Sequence, residues 1–271
     1  MELLIAFILG LLLGSFLNVV ILRLPQDESI VHDFSHCPTC KNTLKPWHNI
    51  PLFSWIFLRG KCAFCGSKIS FQYPLIELIS GLVFLALVIK FGLNIPILLI
   101  GFSFLTLLGI SMIDFKYKMV PDSLNLLALV FAILGAWNIS GVVINFQNAL
   151  LFAGGFTLLR FALSYMLTAS AHRDAKKTIT SWSKNYHTYP FIEAMGEGDI
   201  MVGATMGALL GVKLALVGIF LSALLALPVM LFVMKGSKEQ QRVPFVPFLA
   251  IATFAVYLFD SPILRYIEAN Y

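Results

Sequence analysis

An all-α polytopic membrane protein of about eight transmembrane helices, with a small cytoplasmic zinc-binding domain between the first and second, is the fold class this sequence predicts. Three observations carry it. The chain of 271 residues is 59% hydrophobic and only 12% charged, against roughly 25% charged in soluble domains, so it has too little polar surface to cover a water-soluble globule. Its apolar residues fall in eight segments, most of them near the roughly 17–25 residues that a helix needs to cross a bilayer. All four cysteines lie in one polar stretch between the first two of these segments. The net charge of +5 reports topology in such a chain and gives no reason to expect a nucleic-acid partner. The lipid bilayer is the expected surrounding.

Residues 1–22 form the first span. The segment lacks the basic start and small-residue cleavage site of a signal peptide, and its apolar run is too long for one. Its Gly14-Ser15-Phe16-Leu17-Asn18 stretch is small and polar for a lipid-facing surface and predicts helix–helix packing. Residues 23–73 form the cysteine-bearing domain, and 74–271 the membrane core. The later spans are expected at 74–91, 95–113, 123–139, 147–169, 200–211, 213–234 and 244–260. Gly211 and Lys213 separate the sixth from the seventh only thinly. A long polar loop is expected over 170–198.

The loops give the orientation. The odd-numbered connections carry fifteen of the nineteen basic residues, and the even-numbered ones only Lys90 and Lys213. Cytoplasmic loops are the basic ones. The reading is therefore an N-terminus outside, with the cysteine domain and the ends of spans bearing Asp114 and Asp199 on the cytoplasmic side.

The cysteines are arranged as Cys37-Pro38-Thr39-Cys40 and Cys62-Ala63-Phe64-Cys65. Each knuckle turns two thiolates towards one point, and tetrahedral zinc takes four. Cytoplasmic disulfides are disfavoured by the reducing milieu, so the expectation is a structural zinc, or a related thiolate-bound metal, on Cys37, Cys40, Cys62 and Cys65. His32, His36 and His48 share the loop, but four thiolates complete the shell. His172 and His187 lack ligand spacing.

Two carboxylates stand out. Asp114 closes an apolar segment at its C-terminal end, where the helix dipole disfavours an anion, so a non-local use is expected. Asp199, in Gly196-Glu197-Gly198-Asp199, opens another, where a helix cap would explain it locally. Asp122 follows Pro121 at a helix start and has the same local explanation. Should Asp114 and Asp199 face each other, they make a two-carboxylate site that shares a proton, one group serving as base towards water and the other as acid. Gly196 and Gly198 would then support the site by letting backbone come close. Glu197 is a neighbour and not a member. Glu77, at the start of the second span, is either a buried polar partner or a group that holds the cysteine domain or serves methyl transfer.

These residues resemble those of the bacterial type IV prepilin peptidases, bifunctional leader peptidases and N-methyltransferases among the Gly-x-Gly-Asp intramembrane aspartyl proteases. The resemblance runs through Gly14-Ser15-Phe16-Leu17-Asn18, Arg23-Leu24-Pro25, the two knuckles, Asn49-Ile50-Pro51, Tyr73-Pro74-Leu75-Ile76-Glu77, Ile113-Asp114, Pro121-Asp122, the Gly-x-Gly-Asp segment and Pro244-Phe245-Val246-Pro247-Phe248. It implies that Asp114 and Asp199 are catalytic, with Asp122 the alternative to Asp114. It also implies that prepilins or pseudopilins are the substrates, cut on the cytoplasmic side of the inner membrane, and that S-adenosylmethionine is the methyl donor. The chain departs from that pattern at Met201, where lysine is usual, and at Val246, where glycine is usual. The residues leave two other readings open. A cation transporter predicts acidic residues near mid-membrane and inverted repeats, and a non-catalytic assembly protein would use the metal domain for docking.

Overall fold

The computed structural model describes residues 1–31, 35–178, 193–234 and 243–270, with backbone only at 171–178 and 234. His32 and His187 lie outside the described residues, as does the side chain of His172. The described secondary structure is helical apart from two isolated β-bridges, His36 with Thr43 and Lys61 with Lys68.

Helix α1 (Glu2–Arg23) is followed by the small domain, whose described residues hold one short α-helix, α2 (Phe53–Phe57), and two 3-10 turns, Leu24–Gln26 and Pro46–His48. The apolar runs then give α3 (Gln72–Phe91), α4 (Ile95–Tyr117), α5 (Asp122–Gly135) with the short α6 (Trp137–Ser140), α7 (Val142–Thr178), α8 (Glu197–Met234), α9 (Val246–Leu258) and α10 (Asp260–Asn270). Each of the eight apolar segments is helical over most of its length, so the chain is a multi-pass membrane protein. Five helices are individually long and apolar enough to cross a bilayer, or six when the α9–α10 pair, bent by 78°, is taken as one span. The predicted eighth segment is thus a 13-residue helix that turns sharply into a second one.

The separator between the sixth and seventh segments is real but slight. The helical run of α8 is broken at Gly211, with φ 67° and ψ −179°. That backbone conformation is essentially closed to residues with a Cβ. The predicted loop over 170–198 begins later than expected, because α7 continues as helix to Thr178. The polar sequence Ala171–Thr178 contains no proline or glycine to stop it.

Helix α4 lies at the centre, against α1, α3, α5 and α9. Ile100, Leu107, Ile110 and Ile113 are fully enclosed. Ser103 donates to the Ala128 carbonyl of α5 at 2.8 Å, so its buried hydroxyl is satisfied across the helix pair. Helix α7 is little enclosed, with Leu158, Phe161, Tyr165 and Met166 exposed, as a lipid-facing helix requires.

The α1–α3 contact bears out the packing expected of the small-residue stretch. Gly14, Leu17 and Asn18 are buried while Phe16 is exposed. Asn18 donates to the Tyr73 carbonyl at 3.1 Å. Without lipid-phase hydrophobic drive, close backbone approach through small residues is what joins such helices. A Cβ at Gly10 would sit 2.5 Å from the Ser80 carbonyl oxygen and 2.7 Å from Gly81 Cα.

The two ends of the bundle are distinct. At one end Tyr73 of α3 adjoins Tyr117 of α4, and the cysteine domain enters there. At the other, Lys90 donates to the carbonyls of Tyr257 (3.2 Å) and Leu258 (2.6 Å) and pairs with Asp260. This single ammonium satisfies the last carbonyls of α9 at the bend.

The Gly10 contact is made with backbone, which cannot yield. Gly10→Val is therefore expected to lower the melting temperature of the detergent-solubilised protein, by an overpacking cost of about 1–3 kcal/mol. Gly154→Ala, where nothing lies within 4 Å, is expected to leave it unchanged. Equal behaviour of the two variants in a thermal melt would contradict this packing.

Candidate active site and metal centre

The sequence puts the same local pattern on each cysteine pair, and the backbone follows it. In the first knuckle Cys37 N–H donates to Asn42 O (3.0 Å) and Lys41 N–H to Cys37 O (2.9 Å). In the second Cys62 N–H donates to Ser67 O (2.8 Å) and Gly66 N–H to Cys62 O (3.0 Å). The bridges His36–Thr43 and Lys61–Lys68 stand at the same offset from each pair. Lys41 and Gly66 both take positive φ, at 59° and 72°.

The four sulfurs lie within 4.8 Å of one another, and Cys37 Sγ is 3.8 Å from Cys65 Sγ. A tetrahedron with Zn–S bonds of about 2.3 Å has an edge near 3.8 Å, so the donor set fits a four-coordinate thiolate metal. The electrostatics agree. The Cys40 amide and the Ser67 hydroxyl hold the Cys37 thiol down at about 5. The Asn42 amide favours the Cys40 thiolate, yet burial and the neighbouring sulfurs push that thiol up to about 11. The Ser67 hydroxyl likewise lowers the Cys65 thiol, so two sulfurs favour the thiolate a metal needs and Cys40 loses its proton most readily when a cation joins them. His48 stands edge-on to Trp47 and Phe64, a packing role. His36 forms the bridge to Thr43.

The domain is tied to the membrane core by Glu77. This residue is buried at the start of α3, and its Oε2 accepts from Leu52 N–H at 2.8 Å. The Ser15 hydroxyl of α1 also donates to the carboxylate. Glu77 is therefore a buried polar partner between helices that also holds the domain.

Asp114 and Asp199 come to the same end of the bundle. Asp114 is buried in the last turn of α4, and its carbonyl accepts from Lys118 N–H at 3.0 Å. Its carboxylate is met by the Val246 amide in the first turn of α9 and lies in the field of the Lys118 ammonium. Asp199 is the third residue of α8, and its carboxylate reaches back to the Gly196 amide, the reciprocal half of a capping box. The local cap expected for Asp199 is thus present. The two carboxylates also lie within electrostatic reach of each other, so capping and facing Asp114 are one arrangement. Asp122 is the first residue of α5 and is exposed, as a helix-start role requires.

The two glycines of the motif differ. A Cβ at Gly198 would meet Val120 Cβ at 2.5 Å, whereas one at Gly196 would stand 3.5 Å from Asp199 Oδ2. Only Gly198 is required for space. Its carbonyl accepts from Asn125 of α5 at 3.4 Å.

Three features escaped the reading of the sequence. Arg160 of α7 pairs with Glu193 at 3.1 Å and with Glu197 at 3.0 Å. Ser164, fully buried, accepts from Ala194 N–H at 2.9 Å. Together they pin the approach to Asp199 against α7. The signal was an arginine inside an apolar segment, which is costly without a use. The third feature, the Val246 amide, carries no side-chain signature. Pro247 marks only that a helix starts there.

The described residues thus form a helical membrane bundle with two carboxylates in electrostatic reach at one end and a four-cysteine cluster in its small domain. The comparisons with known proteins give the class, a protease. The profile of the Bacterial Peptidase A24 N-terminal domain matches residues 8–91, and that of the Type IV leader peptidase family matches residues 99–231. Three proteins named prepilin leader peptidase/N-methyltransferase are similar over nearly their whole length. That of Xanthomonas campestris is 32% identical over 94% of this chain and 91% of its own. That of Bacillus subtilis is 31% identical over 97% and 96%, and that of Neisseria gonorrhoeae 32% over 96% and 92%. No solved structure matches the chain. The chain belongs to the type IV leader peptidase family.

Two measurements follow from these geometries. Purified protein is expected to carry one zinc per chain by elemental analysis, and Cys62→Ser to lose it; a zinc content far below stoichiometric with four titratable thiols would exclude the site. Gly198→Ala is expected to reduce peptidase activity by at least tenfold, on the scale of a roughly 1 Å displacement at a reacting group, while Gly196→Ala changes it little. Equal effects of the two would contradict the contact with Val120.

Proposed function

We propose that this chain removes the leader peptide from type IV prepilins or pseudopilins at the cytoplasmic face of the inner membrane, with Asp114 and Asp199 as the catalytic pair, and that it N-methylates the new N-terminal residue. The observation that carries the reading is the convergence of the α4 and α8 ends, which places the two carboxylates in each other's field. The names of the similar proteins supply the substrate class and both activities. Basic residues cluster in the odd-numbered connections of the sequence, which supports a cytoplasmic site and an outside N-terminus.

Two carboxylates brought together on a substrate share one proton. The ionised member takes a proton from a water molecule as its oxygen attacks the scissile carbonyl. The protonated member donates to the carbonyl oxygen as charge develops there. When the tetrahedral intermediate collapses, the proton taken from water passes to the departing amine, and the hydroxyl formed on the carbonyl oxygen returns its proton to the aspartate that gave it, restoring the singly protonated pair. The groups around the pair suit this asymmetry. Asp114 has the Val246 amide and Lys118 at its disposal, and Asp199 has the Gly196 amide.

Zinc is the metal proposed for Cys37, Cys40, Cys62 and Cys65. With four thiolates it has no open position, so its work is to fold the domain that Glu77 holds against α1 and α3. S-adenosylmethionine, when bound, supplies the methyl group. The described residues contain no strand leading into a glycine-rich turn of the soluble kind, and no residue of this chain is assigned to the donor. The proposed domains remain 1–22, 23–73 and 74–271.

Asp114→Asn and Asp199→Asn, each isosteric, are expected to abolish leader removal from a co-expressed prepilin, a loss beyond the roughly 10²–10⁴-fold that a single acid–base group contributes. Either variant cutting at the wild-type rate, while inserted and folded, would sink the pair. A transporter or docking protein predicts no leader removal by the wild type itself.

A further inference from the structure

The turn Phe53–Phe57 has a face that the protein leaves uncovered. Phe53, Ile56 and Phe57 are 58%, 62% and 81% exposed, and their spacing puts all three on one side of a helical turn. The other side is committed. Ser54 is buried, and Trp55 stacks edge-on against Phe71 at 5.7 Å and donates to the Ile69 carbonyl at 3.4 Å.

The depth of this turn follows from its tie to α3. Leu52 N–H is held by Glu77 at 2.8 Å, and Glu77 is the sixth residue of α3. At 1.5 Å per residue it lies about 7–8 Å along that helix, and 20 residues span about 30 Å, the thickness of the hydrocarbon core. Leu52, bonded to Glu77, therefore sits beside the second turn of α3, about 7–8 Å from its start. Leu75 and Leu78, on the same stretch of α3, are exposed and apolar too.

The backbone is also bent to aim the turn. Leu52 has φ 61° and ψ −51°, and Phe53 N–H donates to Pro51 O at 2.7 Å. This is a γ-turn at a bulky residue, a conformation that costs on the order of 1–3 kcal/mol and persists only where surrounding structure determines it. The charge matches a lipid surface as well. Residues 35–71 contain five lysines and arginines and no aspartate or glutamate, and each cation near an anionic leaflet adds to binding.

We propose that Phe53–Phe57 lies in the boundary between headgroups and acyl chains as an interfacial anchor, seating the metal domain on the bilayer beside α3. An apolar face of this kind buries about 5–10 Å into that boundary, which is the depth the Glu77 contact sets. The anchor is independent of the chemistry assigned to Asp114 and Asp199.

The test uses the unaltered full chain in phosphatidylethanolamine–phosphatidylglycerol vesicles, with a diazirine in the acyl chain of the phosphatidylglycerol, followed by peptide mapping after irradiation. Lipid adducts are expected on Phe53–Phe57 together with the outward faces of α1 and α3, and none on Lys61–Lys68. Labelled helices with an unlabelled Phe53–Phe57 overturn the proposal and leave an apolar protein segment as the occupant of that face. Equal labelling of Lys61–Lys68 overturns it too, since the whole domain would then be immersed.

Discussion

One carboxylate organises this molecule. Asp114 is buried at the C-terminal end of α4, where its own helix disfavours a negative charge. Lys118, which caps α4, offsets part of that cost through its ammonium. The other offset comes from a different helix, through the amide of Val246 at the N-terminus of α9, where a helix favours an anion. The start of α9 must therefore be at the end of α4, and the remaining helices are arranged around that junction. Lys90 closes the far end of α9 against α3, which fixes α9 at both ends.

The approach to Asp199 is held by a different set of helices. Val120 fills the space at Gly198, Asn125 of α5 binds the Gly198 carbonyl, and Arg160 and Ser164 of α7 hold residues 193–197. The pairs made by Arg160 are partly exposed, and such pairs contribute little to stability. Their effect is geometric, because two acidic residues on one guanidinium leave the segment few other courses. The proposed dyad thus has one member set by α4 and α9 and the other by α5, α7 and α8.

Much of the fold was legible because the bilayer leaves few choices. With no water to satisfy backbone groups, an apolar run becomes a helix, and so the eight runs could be placed from hydropathy. Helix ends were less legible. The last turns of α7 extend past the apolar segment, since nothing in Ala171–Thr178 forbids helix, and the bend at Phe259 follows from long-range contacts of Lys90. In the site, cysteine spacing and the misplaced charge of Asp114 were readable from side-chain type alone. The Val246 amide was not, because every residue but proline carries one. Arg160, a charge inside the apolar segment 147–169, carries a signal by residue type, while its partners Glu193 and Glu197 are set by the fold. Val246, noted as a departure from the usual glycine, contributes backbone to Asp114, and its side chain is buried in the core.

The same reasoning explains why the metal domain belongs to the membrane core and does not hang from it as a tethered module. A domain of about fifty residues is small for a self-sufficient core, and the described residues of this one hold one five-residue α-helix. Four thiolates on a cation supply local folding energy, yet Phe53, Ile56 and Phe57 stay exposed. Glu77 supplies the missing constraint. Its carboxylate is buried between α1 and α3, and a buried acceptor must be satisfied. The groups that satisfy it are Ser15 from α1 and Leu52 from the domain. Removing the domain would leave that carboxylate short of a donor inside the α1–α3 contact. The stability of the first two spans and the seating of the metal centre are consequently one problem, solved at one residue.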